Sequence, residues 1–240
     1  MSTPNVPQVT NNLPTFVRSC NQRILITTKR SQLSVFPPFF DDEDGGKWYE
    51  YLSKLPLLTN QRDGRRNKMY RKLQLFSLDV DTESVEISAR KFQAVSIAPH
   101  TQLHQLLLFI NELFQQNFTK VLVTQFDPEE YTYQLLPFDG DGRANVRSVM
   151  MTFSNACASS ATNTPRIFRV QLNAFHPPKT LEYVSDIVSP RASVNLTFDI
   201  PLLNSQVMFV DGAFAQEFMH TIMKATRHQR TSCVTVLFLR

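Results

Sequence analysis

The sequence has little glycine, with six residues among 240, at positions 45, 46, 64, 140, 142 and 212. It therefore lacks the Walker loop and the G-x-G-x-x-G fingerprint, in which glycines let the backbone approach a phosphate closely. Enzymes that hold a nucleotide in this way are disfavoured by that absence.

Cysteine and long hydrophobic runs are also scarce. The three cysteines, Cys20, Cys157 and Cys233, have no C-x-x-C spacing and cannot all pair. Reduced thiols favour an intracellular location, cytoplasmic or nuclear. The longest apolar run, residues 106–110, is far shorter than the ~20 residues of a membrane span. The start of the sequence has no basic segment followed by an apolar block, so we expect no secretory signal.

The strongest positive signal lies at residues 100–138, where the order helix, strand, turn, strand is predicted. A stripe of apolar residues at helical spacing begins at Leu103 and ends at Phe114, and Thr101 can cap its start. Two β-rich runs follow, TKVLVTQF and YTYQLLPF, separated by Asp-Pro-Glu-Glu. Because Pro128 fixes its own φ in that turn, the two runs are predicted to pair as a hairpin.

Two further helices are predicted, in ANVRSVMMTFSNACA and in GAFAQEFMHTIMKATR, and most other periodic segments are short strand candidates. Because strands come in adjacent pairs, the pattern favours an α+β fold. We expect a mixed, mostly antiparallel sheet or sheets with about three main helices packed on them, and a strand-rich N-terminal part. Residues 1–15 are predicted to be a flexible tail, and 16–240 a single compact domain with a candidate sub-division near 56–68.

The helix stripe and the strand after it also predict the core and an association surface. Eight residues are expected to be buried together: Leu106, Leu107, Ile110, Phe114, Val121, Val123, Val149 and Phe153. Leu108 projects away from this stripe among polar residues, which predicts self-association through it and a homo-oligomer.

Positive charge is concentrated in residues 61–72, although the net charge of the chain is only +4. Such a cluster attracts phosphate polyanions, and a tyrosine within it can stack on an exposed base. The predicted polyanion-binding residues are Arg62, Arg65, Arg66, Lys68, Tyr70, Arg71, Lys72, Arg143 and Arg147. A solvated surface loop is the alternative interpretation of the same charges.

Residues that could carry catalysis or hold a metal form no complete motif. Asp79 and Asp81 follow an apolar strand, as carboxylates do in some metal-dependent phosphatases and glycosyltransferases, but a hairpin turn explains them as well. Asp139 and Asp141 resemble the start of a calcium loop whose late glutamate is missing.

Histidines and thiols give no stronger signal. His100 and His104 have the i, i+4 spacing of a zinc pair, without the metalloprotease glutamate between them. His220 and His228 are interpreted as surface residues, and Cys157 as a core residue. We therefore predict no catalytic residue, no metal site and no cofactor.

These observations favour a non-enzymatic structural or interaction protein whose basic face binds RNA, DNA or another polyanionic surface. In general profile such a chain is similar to viral structural or accessory proteins of the matrix type. Two alternatives stay open. One is a protein–protein adaptor that does not bind nucleic acid, and the other is a metal-dependent phosphotransfer or glycosyl-transfer enzyme that uses Asp79 and Asp81.

Overall fold

The computed structural model describes residues 23–28, 30–60, 71–79, 84–87, 90–126, 136–137, 147–155, 166–172, 181–184, 197–223 and 232–240. Within these ranges the structure is dominated by strands. The strands are β1 Arg23–Thr28, β2 Ser31–Phe36, β3 Leu58–Asn60, β4 Arg71–Ser77, β5 Ser84–Ile87, β6 Arg90–Ser96, β7 Lys120–Phe126, β8 Leu136–Pro137, β9 Ser148–Ser154, β10 Arg166–Leu172, β11 Leu181–Val184, β12 Thr197–Leu202, β13 Gln206–Gly212, β14 Phe218–Ile222 and β15 Cys233–Leu239. The helices are α1 Asp42–Ser53, α2 Gln102–Phe114 and the single turn α3 Phe214–Glu217.

Eleven strands form one large mixed sheet, in the order β11-β1-β2-β13-β9-β15-β7-β4-β6-β5, with β3 paired to β4. Strands β4 and β6 run parallel, and the strands at the centre of the sheet are antiparallel. All seven residues of β9 are buried. A strand that is buried on both faces reads as a nearly continuous apolar run, and SVMMTFS fits that pattern.

Four strands form a second sheet, in the order β12-β10-β14-β8. From β7 to β10, consecutive strands alternate between the large and the small sheet, and β12 to β15 do so again. One apolar cluster joins the sheets, with Leu33, Met150 and Met208 from the large sheet and Phe168 and Ile200 from the small one. Two facing sheets joined by strands that cross between them make the fold jelly-roll-like.

Helix α2 packs on the outer face of the large sheet, as its stripe predicts. Leu107 and Ile110 are fully buried there, in one cluster with residues of β7, β9, β13 and β15. The Thr101 hydroxyl accepts the cap bond from His104 N at 3.3 Å, which confirms the predicted helix start. Seven of the eight predicted core residues are buried in this cluster, and the eighth, Phe114, is half-buried against it.

Helix α1 lies beside α2 and is held to it by a phenol. The Tyr51 hydroxyl accepts a hydrogen bond from Leu103 N at 3.2 Å, at the amino-terminal end of α2. Burial raises the pKa of Tyr51 above its usual 10.0, while the bond from Leu103 N opposes that rise in pKa. None of the helices in the described ranges has the length and hydrophobicity to cross a membrane.

The predicted α+β fold with three main helices is wrong. Where ANVRSVMMTFSNACA was expected to be helical, the structure has β9, which alternates its side chains between the two clusters. In the described part of the predicted third helix, residues 212–223, the helical segment is the single turn α3, after which β14 pairs with β10. In both segments β-branched and aromatic residues are stabilised by cross-strand neighbours on a sheet, which outweighs an apparent helical period.

The predicted hairpin is also wrong. Strand β7 pairs with β15 and β4, whereas β8 pairs with β14 in the other sheet. The turn Asp-Pro-Glu-Glu, the tail 1–15 and most of the candidate boundary 56–68 lie outside the described residues. The single-domain organisation stays a prediction.

Candidate functional site

A row of polar side chains crosses the inner face of the large sheet, the face that opposes the small sheet. In register across four strands lie Thr124, Thr235, Thr152 and Gln206, from β7, β15, β9 and β13. All four are buried. Their alternate neighbours Met150 and Met208 belong to the apolar cluster between the sheets, so the row faces the same interior.

Thr152 lacks a hydrogen-bond partner in this row. Its side chain is fully buried, and its Oγ1 atom makes no hydrogen bond. The Gln206 Oε1 atom differs, because it accepts a bond from Leu203 N at 3.2 Å. Leaving a buried hydroxyl unsatisfied costs about 1–3 kcal/mol, so an orphan at this position marks a place where a ligand or water would bond.

A guanidinium group enters the same interior from the small sheet. Arg166, at the start of β10, is 1% exposed. Its Cζ atom lies 5.7 Å from the centre of the Phe126 ring on β7, and its Nε atom donates to Met223 O at 3.2 Å. Since Phe126 pairs with Cys233, two residues before Thr235, the arginine lies close to one end of the polar row.

An imidazole also faces the interior from the small sheet. His220 is the central residue of β14, between Phe218 and Ile222, which both belong to the cluster between the sheets. Alternate residues of a strand share a face, so His220 points to the same side. Its ring stacks on Phe168 at 5.4 Å between centroids, which holds the imidazole in one orientation.

Together these residues bring an imidazole, a buried cation and hydroxyl groups into one interior. Such a set can bind a small anionic or carbonyl compound, and the imidazole can ligate a metal or transfer a proton. No group of three or more histidine, cysteine or acidic side chains suited to a metal is found among the described residues.

Most of the predicted polyanion-binding residues lie outside the described part of the chain. Residues 61–70 and Arg143 lie outside the described part of the chain, and for Arg71 only the backbone in β4 is described. Lys72 is exposed on β4, and the Arg147 Nε atom lies 3.0 Å from Asp211 Oδ1 in a surface ion pair. Polyanion binding by these residues stays a prediction.

The other predicted candidates lie on the outside of the molecule or are not described. Asp79 is exposed, with its Oδ2 atom 3.9 Å from Lys120 Nζ, while Asp81 lies outside the described residues. The rings of His100 and His104 lie 6.4 Å apart at the start of α2. Asp139, Asp141, Cys157 and His228 are likewise outside the described ranges.

Leu108 is 50% exposed on α2, as its position off the stripe predicts. Self-association through Leu108 stays a prediction, as does the homo-oligomer, which light scattering on the full chain would check.

Sequence reasoning missed the inner face. The interpretation of His220 as a surface residue is wrong, because β14 is a strand and alternation with Phe218 and Ile222 turns the histidine inward. That alternation was visible in FMHTI and could have found it. Thr152 and Thr235 carried no comparable signal, because their grouping depends on which strands become neighbours.

Comparison with solved structures finds many similar chains, of which two are described here. A prolyl-4-hydroxylase from Pseudomonas putida is similar with a TM-score of 0.49 at 10% identity, over 87% of this chain and 91% of that one. An oxidoreductase of the 2OG-Fe(II) oxygenase family from Burkholderia pseudomallei is similar with a TM-score of 0.46 at 13% identity, over 86% of this chain and 84% of that one. No protein-family model and no curated protein matches the sequence.

These findings contradict the functional prediction made from the sequence. Both similar structures are those of enzymes of the oxygenase class, whereas we predicted a non-enzymatic, RNA-binding protein of viral matrix type. The adaptor, and the phosphotransfer or glycosyl-transfer enzyme built on Asp79 and Asp81, are set aside with it. The basic composition that motivated the prediction describes solubility and association, and it does not determine the fold or the chemistry.

Proposed function

We propose that the chain is an enzyme whose active site lies between the two sheets, and that its reaction is an iron-dependent oxygenation. The observation that carries the proposal is that His220, the buried Arg166 and the polar row all face the space between the two sheets, with Arg166 four residues along β10 from Val170, the cross-strand partner of His220. A structural likeness of the degree reported above does not establish a shared function, so these residues have to support the proposal themselves.

The interior suits a small substrate for physical reasons. Ligand sites in proteins are mostly apolar with a few convergent polar groups, and mouths of β-barrels are among their preferred places. The cluster between the sheets supplies apolar walls such as Phe168 and Phe218. Arg166, Thr152 and His220 supply the polar groups.

The described residues supply one candidate ligand for an iron centre. Two imidazoles and one carboxylate are the usual protein ligands of such iron, and the metal supplies oxygen activation when it is bound. His220 fits as one ligand, since its ring is fixed by Phe168. The two others would have to come from outside the described ranges.

The proposal is tested by measuring turnover of 2-oxoglutarate to succinate in the full chain supplied with Fe(II) and oxygen. We expect slow turnover without a second substrate, and a loss of more than about 100-fold in His220→Ala, because even indirect partners of a metal ligand contribute 10–100-fold. His104→Ala is the matched control, since that histidine lies on α2, on the opposite face of the large sheet.

Two outcomes would contradict the proposal. Absence of turnover in the unmodified chain, together with absence of Fe(II) or Mn(II) binding by calorimetry, would remove the oxygenase reaction. Turnover in His220→Ala equal to that in His104→Ala would place the site elsewhere.

A further inference from the structure

The outward face of helix α2 is centred on an exposed leucine. Leu108 is 50% exposed, whereas Leu107 beside it is fully buried. Four residues before Leu108 lies His104, which is half-buried, and four residues after it lies Glu112, which is exposed. Residues four apart on a helix are neighbours on one face, so His104, Leu108 and Glu112 form one stripe along the outside of α2.

The charge on this outer stripe is not balanced within the described part of the chain. Glu112 is the one acidic residue of α2, and the helix contains neither lysine nor arginine. No lysine or arginine among the described residues forms an ion pair with Glu112. Helix α1 differs, because Lys47 Nζ lies 2.9 Å from Glu43 Oε1 on the same helix. His104 is too far along α2 to reach Glu112, since eight residues of helix span about 12 Å.

We propose that the outer stripe is a self-association surface, on which α2 of a second copy of the chain packs antiparallel about a two-fold axis at Leu108. A two-fold contact uses the same patch on both copies, so residue i of one meets residue j of the other, and the reverse. With Leu108 on the axis, a residue four positions before it lies opposite the residue four positions after it. His104 of each copy therefore faces Glu112 of the other, and the two leucines cover each other.

The distribution of charge favours the antiparallel arrangement over a parallel one. A parallel contact would oppose the two Glu112 carboxylates, whereas the antiparallel contact separates them by about 12 Å along the helices and sets an imidazole beside each. It also places the positive amino-terminal end of each helix beside the negative carboxyl-terminal end of the other. A contact between two single helices is small beside the roughly 1,200 Å² of a stable interface, so the dimer is weak and forms at high concentration.

Sedimentation equilibrium of the full chain, at concentrations up to about 1 mM, measures the association. Leu108→Asn should weaken it about 10–100-fold, because the lost burial of a leucine counts twice in a two-fold contact. Leu203→Asn is the matched control, since Leu203 is 40% exposed on the turn between β12 and β13 and should leave the association unchanged. The unfolding midpoint of dilute Leu108→Asn should match that of the unmodified chain, which shows that the variant is folded.

Two charge variants test the antiparallel geometry. His104→Glu opposes two carboxylates, and Glu112→Lys removes the carboxylate that faces the imidazole, so each variant alone should associate more weakly than the unmodified chain. A mixture of the two should recover association, because the introduced glutamate of one chain faces the introduced lysine of the other. The recovery reports a contact between copies, since the two positions are about 12 Å apart within one chain.

Three outcomes would overturn the proposal. The first is an unmodified chain that stays monomeric at every concentration. The second is association that Leu108→Asn weakens no more than Leu203→Asn does, which would place the contact on another surface. The third is weaker association of both charge variants without recovery in their mixture, which would exclude the antiparallel pairing of His104 with Glu112.

Discussion

Two adjacent glycines in α1 should respond in opposite ways to the same substitution. A Cβ atom at Gly45 would lie 2.3 Å from Asn204 Nδ2 and 2.7 Å from Asn204 Cγ, whereas one at Gly46 would meet nothing within 4 Å. Both positions are helical, so alanine in place of either glycine gains up to about 1 kcal/mol from helix propensity. The pair therefore isolates the effect of the contact with Asn204.

The cost at Gly45 comes from displacing a side chain that is itself bonded. The Asn204 Oδ1 atom accepts a hydrogen bond from Ser154 N at 3.1 Å, at the end of β9. Overpacking costs about 1–3 kcal/mol, and loss of the bond costs about 0.5–1.5 kcal/mol. We expect Gly46→Ala to be stabilised slightly and Gly45→Ala to have a free energy of unfolding lower than that of Gly46→Ala by about 2–4 kcal/mol.

Urea unfolding followed by the fluorescence of Trp48 would measure this difference, because Trp48 is the one tryptophan of the chain and lies in α1. A second pair in the Asn204→Ala background removes the obstructing amide, and there the two alanine variants should differ by less than about 1 kcal/mol. Equal stability of Gly45→Ala and Gly46→Ala in the unmodified background would refute the reasoning.

Three further predictions concern the outer helices and the end of strand β13. Leu107→Ala should lower the free energy of unfolding by about 2–5 kcal/mol, since the side chain is fully buried; a loss below about 1 kcal/mol in urea unfolding would contradict its core position. Gly212→Ala should cost more than about 2 kcal/mol, because φ is +74° and a Cβ would lie 1.9 Å from Arg30 O; an unchanged unfolding midpoint would contradict this. The pKa of Tyr51 is raised, so its contribution to stability is present below about pH 10 and is lost as pH rises through the folded pKa. Between pH 9 and 11 the free energy of unfolding of Tyr51→Phe should therefore fall less than that of the unmodified chain. Equal falls in both would show that ionisation of Tyr51 does not contribute.

Local signals predicted α2 because everything that defines it is encoded within a few residues. Its stripe from Leu103 to Ile110 and its cap at Thr101 need no distant partner to be recognised. For β9 the same procedure failed, since Val149, Met150 and Phe153 fit a helical stripe as well as a strand buried on both faces. Only the neighbours β13 and β15 decide between the two structures, and pairing at that sequence distance has no local signature.

The candidate site was harder to predict for the same reason. For His220, the alternation of side chains within the five residues FMHTI is enough to predict that it faces inward. Thr152 and Thr235 become neighbours only when the last described strand pairs with β9. A charge cluster such as residues 61–72 is conspicuous in the sequence, whereas single buried hydroxyls are conspicuous only in the folded molecule.

The place of β15 in the large sheet determines when the sheet can be completed during synthesis. This strand lies between β9 and β7, bonded to both along its length, although residues 155–232 separate it from β9 in the sequence. At roughly 5–20 residues per second, a ribosome takes on the order of ten seconds to make that segment. During that interval β7 and β9 each present an unpaired, apolar edge at what will become the centre of the sheet. Exposed edges of this kind can pair with strands of other molecules, and truncation just before Cys233 would remove the strand that pairs with both.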